Sequence, residues 1–192
     1  MQKTAILILA AGSSSRMGTI KQILPFKSTT LLGWSLKVAK QSKANAVFCV
    51  LGANKNAIEN KIQADGTTII TNTNYKNGLS TSIVTGIQQV EKGFDSALLI
   101  LADQPNITSS YLNELIKVSQ ENPEKIIASN YNEKVGVPAI FPKIYFNDLK
   151  MLKGDSGAKI FILKNISRVI KMPPTNLIDI DTIKDYKNLI DS

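Results

Sequence analysis

The sequence predicts an α/β layer fold on a mostly parallel sheet, and three observations carry that prediction. Short apolar runs alternate with amphipathic segments along the whole chain. One run, Ala97-Leu98-Leu99-Ile100-Leu101-Ala102, is apolar without a break, as a central strand covered on both faces must be. The first run, Thr4 to Ala10, breaks abruptly into Ala11-Gly12-Ser13-Ser14-Ser15, a change from buried strand to small-residue loop. Open α/β sheets hold ligands outside such strand ends.

The elements follow in order. The first strand spans Thr4 to Ala10 and delivers the glycine loop. After Leu24-Pro25-Phe26 a helix is predicted from Thr30 through Ala39, with Leu32, Leu36 and Ala39 on one face and Trp34 at its core or rim. Val47 to Leu51 reads as the second strand, and Ala57 to Gln63 as a polar helix. A third strand at Thr67 to Thr71 ends in a polar stretch, after which Ser80 or Thr81 is expected to cap a helix carrying Ile83, Ile87 and Val90. The unbroken strand at Ala97 to Ala102 ends in Asp103-Gln104-Pro105. A helix at Tyr111 to Gln120 and a strand at Lys125 to Ser129 come next. Val135 to Phe141 reads as a strand that Pro138 makes an edge or bulged one. A helix at Lys143 to Leu152, a turn at Gly154 to Gly157, a helix at Ala158 to Leu163 and a strand at Arg168 to Lys171 follow. The extended segment Ile178 to Asp181 leads into a last helix from Thr182. No repeat or linker interrupts residues 1–192, so a single domain is expected.

Composition excludes several chemistries. The chain has no histidine, which removes imidazole general bases, Ser-His triads and imidazole metal sites. A metal must then sit on oxygen ligands, which favours Mg²⁺. Cys49 is the one cysteine and lies in an apolar run, so it reads as a buried structural thiol. No apolar run is long enough to span a membrane, and the short one after Lys3 flows into the glycine loop rather than a cleavage site. A cytoplasmic address is expected. The formal charge of +8 comes almost wholly from scattered lysines without interleaved aromatics, so neither a nucleic-acid polymer nor a membrane is an expected partner. Arginine occurs only at Arg16 and Arg168, and one of the two stands in the glycine loop.

That loop suits an anion. Small residues let backbone N–H groups approach a phosphate, Arg16 offers a planar fork of donors, and Lys21 offers a compact charge. Two familiar phosphate loops do not fit. The dinucleotide fingerprint fails at Ser14, and the P-loop spacing fails because five residues separate Gly12 from Gly18. Asp103, at the end of the most apolar strand, can hold Mg²⁺ against phosphates or serve as a turn aspartate before Pro105. Asp179-Ile180-Asp181 is a second acidic pair whose alternation puts both carboxylates on one side. One of them can complete a metal site, although Asp181 can equally cap the last helix.

Together these motifs resemble one family. Leu9-Ala10-Ala11-Gly12-x-Ser14-x-Arg16-Met17-Gly18-x-x-Lys21-Gln22 is similar to the signature of nucleotidyltransferases related to the molybdenum cofactor guanylyl- and cytidylyltransferases. Gly78-Leu79-Ser80-Thr81-Ser82, Leu101-Ala102-Asp103-Gln104-Pro105, Gly154-Asp155-x-Gly157-Ala158 and Asp179-Ile180-Asp181-Thr182 resemble its later motifs in the same order. The resemblance implies a three-layer Rossmann-like nucleotidyltransferase fold with a mostly parallel mixed sheet. It implies transfer of a nucleoside monophosphate from an NTP to a phosphorylated acceptor, with release of pyrophosphate. Carried onto this chain, it implies catalytic roles for Arg16, Lys21 and Asp103. Nucleotide binding falls to Leu9, Ala10, Ala11, Gly12, Ser13, Ser14, Arg16, Lys21, Gly78, Ser80, Ser82 and Asp103, and Mg²⁺ to Asp103 and Asp181. Ala11 makes the loop look like the cytidylyl branch, so CTP is the expected nucleotide and a molybdopterin-type phosphate the expected acceptor, with a molybdoenzyme receiving the product. Two other readings stay open: a sugar phosphate or other small phosphorylated acceptor, and a non-catalytic cofactor carrier. The chain departs from the cytidylyl branch at Gly136-Val137-Pro138, where that branch often has Gly-His-Pro. A phosphate acceptor is already anionic near neutral pH, so the missing histidine leaves positioning and charge neutralisation as the work to be done.

Overall fold

The computed structural model describes residues 2–131 and 134–191. Its centre is β1 (Thr4–Leu9), buried along its whole length. A small hairpin of β2 (Pro25–Phe26) and β3 (Thr29–Thr30), absent from the sequence expectation, leads into α1 (Leu31–Lys40). Thr30 caps α1 by accepting from the Gly33 N–H at 3.0 Å. The strand β4 (Ala46–Leu51), the short helix α2 (Lys55–Glu59) and β5 (Thr67–Thr71) follow, with β4 parallel to both β1 and β5. The chain then crosses back through α3 (Ser80–Val90) to β6 (Ser96–Leu101), which lies parallel to β1 on its other side. After α4 (Ser109–Glu121), β7 (Ile126–Tyr131) and β8 (Lys134–Pro142) form an antiparallel pair, and β8 also runs antiparallel to β6. The helices α5 (Phe146–Lys150) and α6 (Ala158–Lys164), the strand β9 (Val169–Pro174) and α7 (Ile183–Ile190) complete the described residues. The main sheet has the order β5-β4-β1-β6-β8-β7-β9 and is mixed but mostly parallel.

Alternation along the strands builds two cores. Ile6 and Ile8 face α1, α2 and α4, whereas Ala5, Leu7 and Leu9 face α3, α5 and α6. Helices therefore cover both faces, which makes three layers. A third, smaller cluster packs Met17, Phe26, Leu31 and Ile180 against α7, tying the glycine loop to the C-terminal segment.

Three local expectations are corrected. Neither Ser80 nor Thr81 caps α3: their hydroxyls donate to the carbonyls of Gly154 and Gly78, and Leu79 takes the cap position without a side-chain bond. The helix expected at Ala57 to Gln63 starts earlier and ends at Glu59, because Asn54 enters it from a left-handed conformation and Lys61 N–H already bonds back three residues to Ile58. The helix expected at Lys143 to Leu152 splits into a 3₁₀ turn (Lys143–Tyr145) and α5. Of the two expectations for the proline strand, edge or bulged, the structure shows the second: β8 lies between β6 and β7, with a register shift opposite Ala128 and Ser129. The Val137–Pro138 bond is cis.

Candidate active site

Chain order places the cleft. The chain runs outward from β1 through β4 to β5, then returns to β6 on the opposite side, so the topology switches between β1 and β6. Leu9 and Leu101 pair in register, so the glycine loop and Asp103 leave the sheet side by side. Gln22 staples the loop: its amide donates to the carbonyls of Ala10 (3.0 Å) and Gly12 (2.8 Å), and its oxygen accepts from Ser14 Oγ (3.1 Å). Ser14 Oγ also accepts from the Lys21 N–H at 3.2 Å. Ser14 and Gly18 carry the loop's left-handed turns, at φ of 56° and 66°. Gly12 has no such need. A Cβ there would meet only open cleft.

Charge collects at the mouth of the switch point. Lys21 Nζ donates to Asp103 Oδ2 at 2.6 Å and to the Ile180 carbonyl at 2.8 Å, and lies 3.6 Å from Asp181 Oδ1. The Lys21 and Asp103 side chains are 16% and 17% exposed. Arg16 reaches both Asp181 oxygens at 3.4 Å but is 74% exposed, which makes that pair a weak one. The Ile180 N–H donates to the Asp103 carbonyl (3.0 Å), and Gln104 donates to Asp179 Oδ1 (2.8 Å) and the Val137 carbonyl (3.2 Å). Asp179 thus turns toward Gln104, and Asp181 toward Lys21 and Asp103. Asp181 does not cap α7; Thr182 does, in a reciprocal capping box with Asp185. Burial holds the Asp103 carboxyl above its ordinary pKa, with the Lys21 ammonium pulling it back and the charges of Asp179 and Asp181 adding to the rise.

Asp103 Oδ1 is buried and without a hydrogen-bond partner, and the Asp181 carboxylate reaches the same ammonium. Such a donor set fits a hard divalent cation that keeps waters and substrate phosphate oxygens in its shell. Among the described residues no group of three or more acidic, histidine or cysteine side chains stands ready to cage a metal alone. The remaining positions of such a shell are left to water or to oxygens of a bound molecule.

Two hollows adjoin one another at the loop. The first, of about 390 Å³, is lined by the loop from Leu9 to Met17 together with Lys21, Asp103 and Asp181. The second, of about 690 Å³, shares Ala11, Gly12, Ser13, Leu79 and Ser82 with it and adds Asn54, Tyr75, Gly78 and Asp155. Ser80 is the one nucleotide-binding candidate that lines neither, being fully buried with its hydroxyl on Gly154. Gly78, at φ 101°, lies so close to Gly154 that a Cβ would come within 2.2 Å of its carbonyl oxygen. Ala11 Cβ would lie 2.9 Å from a Cβ on Gly52, and Tyr75 is equally tight against that glycine. A larger groove of about 730 Å³ between Phe26, Trp34, Pro105 and Tyr186 carries no carboxylate and lies outside this chemistry. Sequence reasoning left Gln22, Gln104, Gly52 and Tyr75 without roles. For the two glutamines the usable signal was an amide within each motif.

A mostly parallel sheet, an anion loop and an acidic strand end at its switch point define a Rossmann-like nucleotidyltransferase fold. Within that class, residues 6–169 match one family and the chain belongs to it: the MobA-like NTP transferase domain. The purine catabolism protein PucB of Bacillus subtilis (strain 168) is 29% identical over 193 residues, spanning 94% of this chain and 92% of its own. The molybdenum cofactor cytidylyltransferase of Escherichia coli (strain K12) is 35% identical over 103 residues, 53% of this chain and 52% of its own. Among solved structures, Rv0371c from Mycobacterium tuberculosis H37Rv in complex with manganese superposes with a TM-score of 0.85. It is 27% identical and is covered over 100% of this chain and 99% of that one.

Proposed function

We propose that this nucleotidyltransferase moves CMP from CTP to the phosphate of a molybdopterin-type cofactor, releasing pyrophosphate, with Mg²⁺ as its cation. The observation that carries the reading is the convergence of Arg16, Lys21, Asp103 and Asp181 at the mouth of the loop-lined hollow. Cytidylyl transfer draws support from Ala11, which lines both hollows, and from the Escherichia coli relative. The proposal takes residues 1–192 as one domain working in the cytoplasm, where a molybdoenzyme receives the product. No helix among the described residues is long and apolar enough to cross a membrane.

In this reading the loop N–H groups and Ser13 face the triphosphate, and Lys21 and Arg16 neutralise it. Asp103 and Asp181 hold the Mg²⁺, which offsets charge at the α-phosphate and on the departing pyrophosphate. Gln22 and Ser14 keep the cradle shaped, and Ser80 keeps the Gly154 turn against Gly78. The acceptor phosphate attacks as an anion, so no residue has to remove its proton.

The test incubates the protein with Mg²⁺, each NTP and molybdenum cofactor, and measures pyrophosphate. CTP-dependent release is expected. Turnover with GTP and none with CTP would end the base assignment, and release only with a sugar phosphate would end the acceptor assignment. Tight cofactor binding with no release under any acceptor would make the chain a carrier.

A further inference from the structure

We infer that Lys21 is a resident cation that keeps the metal site closed until a nucleoside triphosphate draws its ammonium away. The inference rests on the proposed divalent-metal reading of Asp103 and Asp181, and it concerns the order in which cation and nucleotide bind.

The geometry is that of a site already holding a cation, with Asp103 Oδ1 alone left without a partner. Lys21 Nζ faces Asp103 Oδ2 at 2.6 Å, the Ile180 carbonyl at 2.8 Å and Asp181 Oδ1 at 3.6 Å. These are hard oxygens of the kind a divalent cation takes, and an ammonium with three donors answers them. Both Lys21 and Asp103 are largely withdrawn from water, so removing one leaves an uncompensated charge. An ammonium and a dication cannot share the same oxygens at these distances, because their repulsion is strong where water is scarce.

Charge balance gives the same result. Arg16 and Lys21 offset most of the charge of Asp103, Asp181 and the neighbouring Asp179, two positive groups against three negative ones, so a free divalent cation meets a weakened attraction. A triphosphate changes that balance by bringing its own negative charge to the loop. The anchor of Lys21 stays put meanwhile: its N–H is held by Ser14 Oγ, its carbonyl accepts from Leu24, and its neighbour Gln22 is stapled to Ala10 and Gly12. Only the side chain has to swing, and the hollow lined by the loop lies beside it. The cation then enters with the nucleotide or after it, not before.

The experiment measures Mn²⁺ binding from the electron paramagnetic resonance signal of the free ion, with no acceptor and no turnover. Wild type, Lys21→Gln, Lys21→Met and Lys21→Arg are each titrated with Mn²⁺ alone, then with each of the four NTPs. Circular dichroism checks that each variant is folded. Wild type and Lys21→Arg are expected to bind Mn²⁺ weakly until an NTP is added. The neutral variants should bind Mn²⁺ alone at least about tenfold more tightly than wild type, as the loss of one nearby positive charge requires. Neutral variants no better than wild type, Lys21→Arg as open as Lys21→Gln, or no Mn²⁺ binding under any condition would each overturn the inference. The wild-type comparison with and without NTP needs no variant to fold; equal affinity in the two also overturns it. A failed pyrophosphate assay would count against the proposed reaction and leave these titrations standing.

Discussion

Asp103 and Lys21 form the pair whose removal separates function from stability. Burial raises the Asp103 pKa despite the lysine at 2.6 Å, so at neutral pH the ionised carboxylate is harder to hold in the folded chain than in the unfolded one. The carboxylate therefore stands there at a cost in stability, which the ammonium offsets in part. Asp103→Asn removes the charge and leaves Lys21 with the Ile180 carbonyl and a more distant Asp181 that is 43% exposed. Breaking a fully buried pair costs about 3–5 kcal/mol; with Asp181 still in reach, about 2 kcal/mol is expected here. For a domain of this size that is a fall of roughly 4–8 °C in Tm. Lys21→Met should cost a similar amount, whereas the double variant should recover most of it, with a coupling of about 1–3 kcal/mol in the cycle. Activity should show no such recovery: both singles and the double should lose on the order of 10²–10³ or more in pyrophosphate release. Thermal unfolding of the four proteins and the pyrophosphate assay read the two sides. Additive Tm losses would refute the pair, and near-normal release by Asp103→Asn would remove Asp103 from the mechanism.

Three further outcomes are expected. Gly78→Ala should push the Gly154 turn away from the cleft and weaken nucleotide binding measured by calorimetry, because its Cβ would fall 2.2 Å from the Gly154 oxygen at a φ that disfavours side chains. Gly93→Ala, where a Cβ meets nothing within 4 Å, should leave binding unchanged. Cys49 is fully buried and its thiol is pushed up to about 12, so a thiol reagent should label it only as the protein unfolds, with rapid native-state labelling the contrary result. Thr182→Ala should lower Tm by on the order of 2 °C at neutral pH. Hydrogen bonds from the Thr182 side chain and backbone hold Asp185 below its ordinary value of 3.8, so this contribution is full above pH 3.8 and fades as pH falls through the lowered pKa. A Tm difference between wild type and Thr182→Ala that grows in acid would contradict that assignment.

Much of this arrangement was legible in the linear chain because strands and loops have local causes. An unbroken apolar run must be covered on both faces, which identified β6, and an abrupt shift to small residues marked the loop after β1. The order of five motifs was enough to name the family resemblance. Local reasoning missed wherever a side chain's partner lies far along the chain. The hydroxyl of Ser80, read as a helix cap, instead meets Gly154. Pro138 reads as an edge or a bulge residue, and only the fold shows that it is the bulge, in an interior strand.

The same division runs through the site. Composition alone removed histidine chemistry and directed any metal to oxygen, since no other hard ligands exist in this chain. The motifs nominated Arg16, Lys21, Asp103 and Asp181, yet they could not say how the four meet. That was decided by β1 and β6 pairing in register and by the Ile180 N–H bonding to the Asp103 carbonyl, contacts 92 and 77 residues apart along the chain. Folding also chose between the two carboxylates of the acidic pair, giving Asp179 to Gln104 and turning Asp181 toward Lys21. The physical reason is that charge fixes which groups attract, whereas only the sheet's register and burial fix which of them come within reach and out of water.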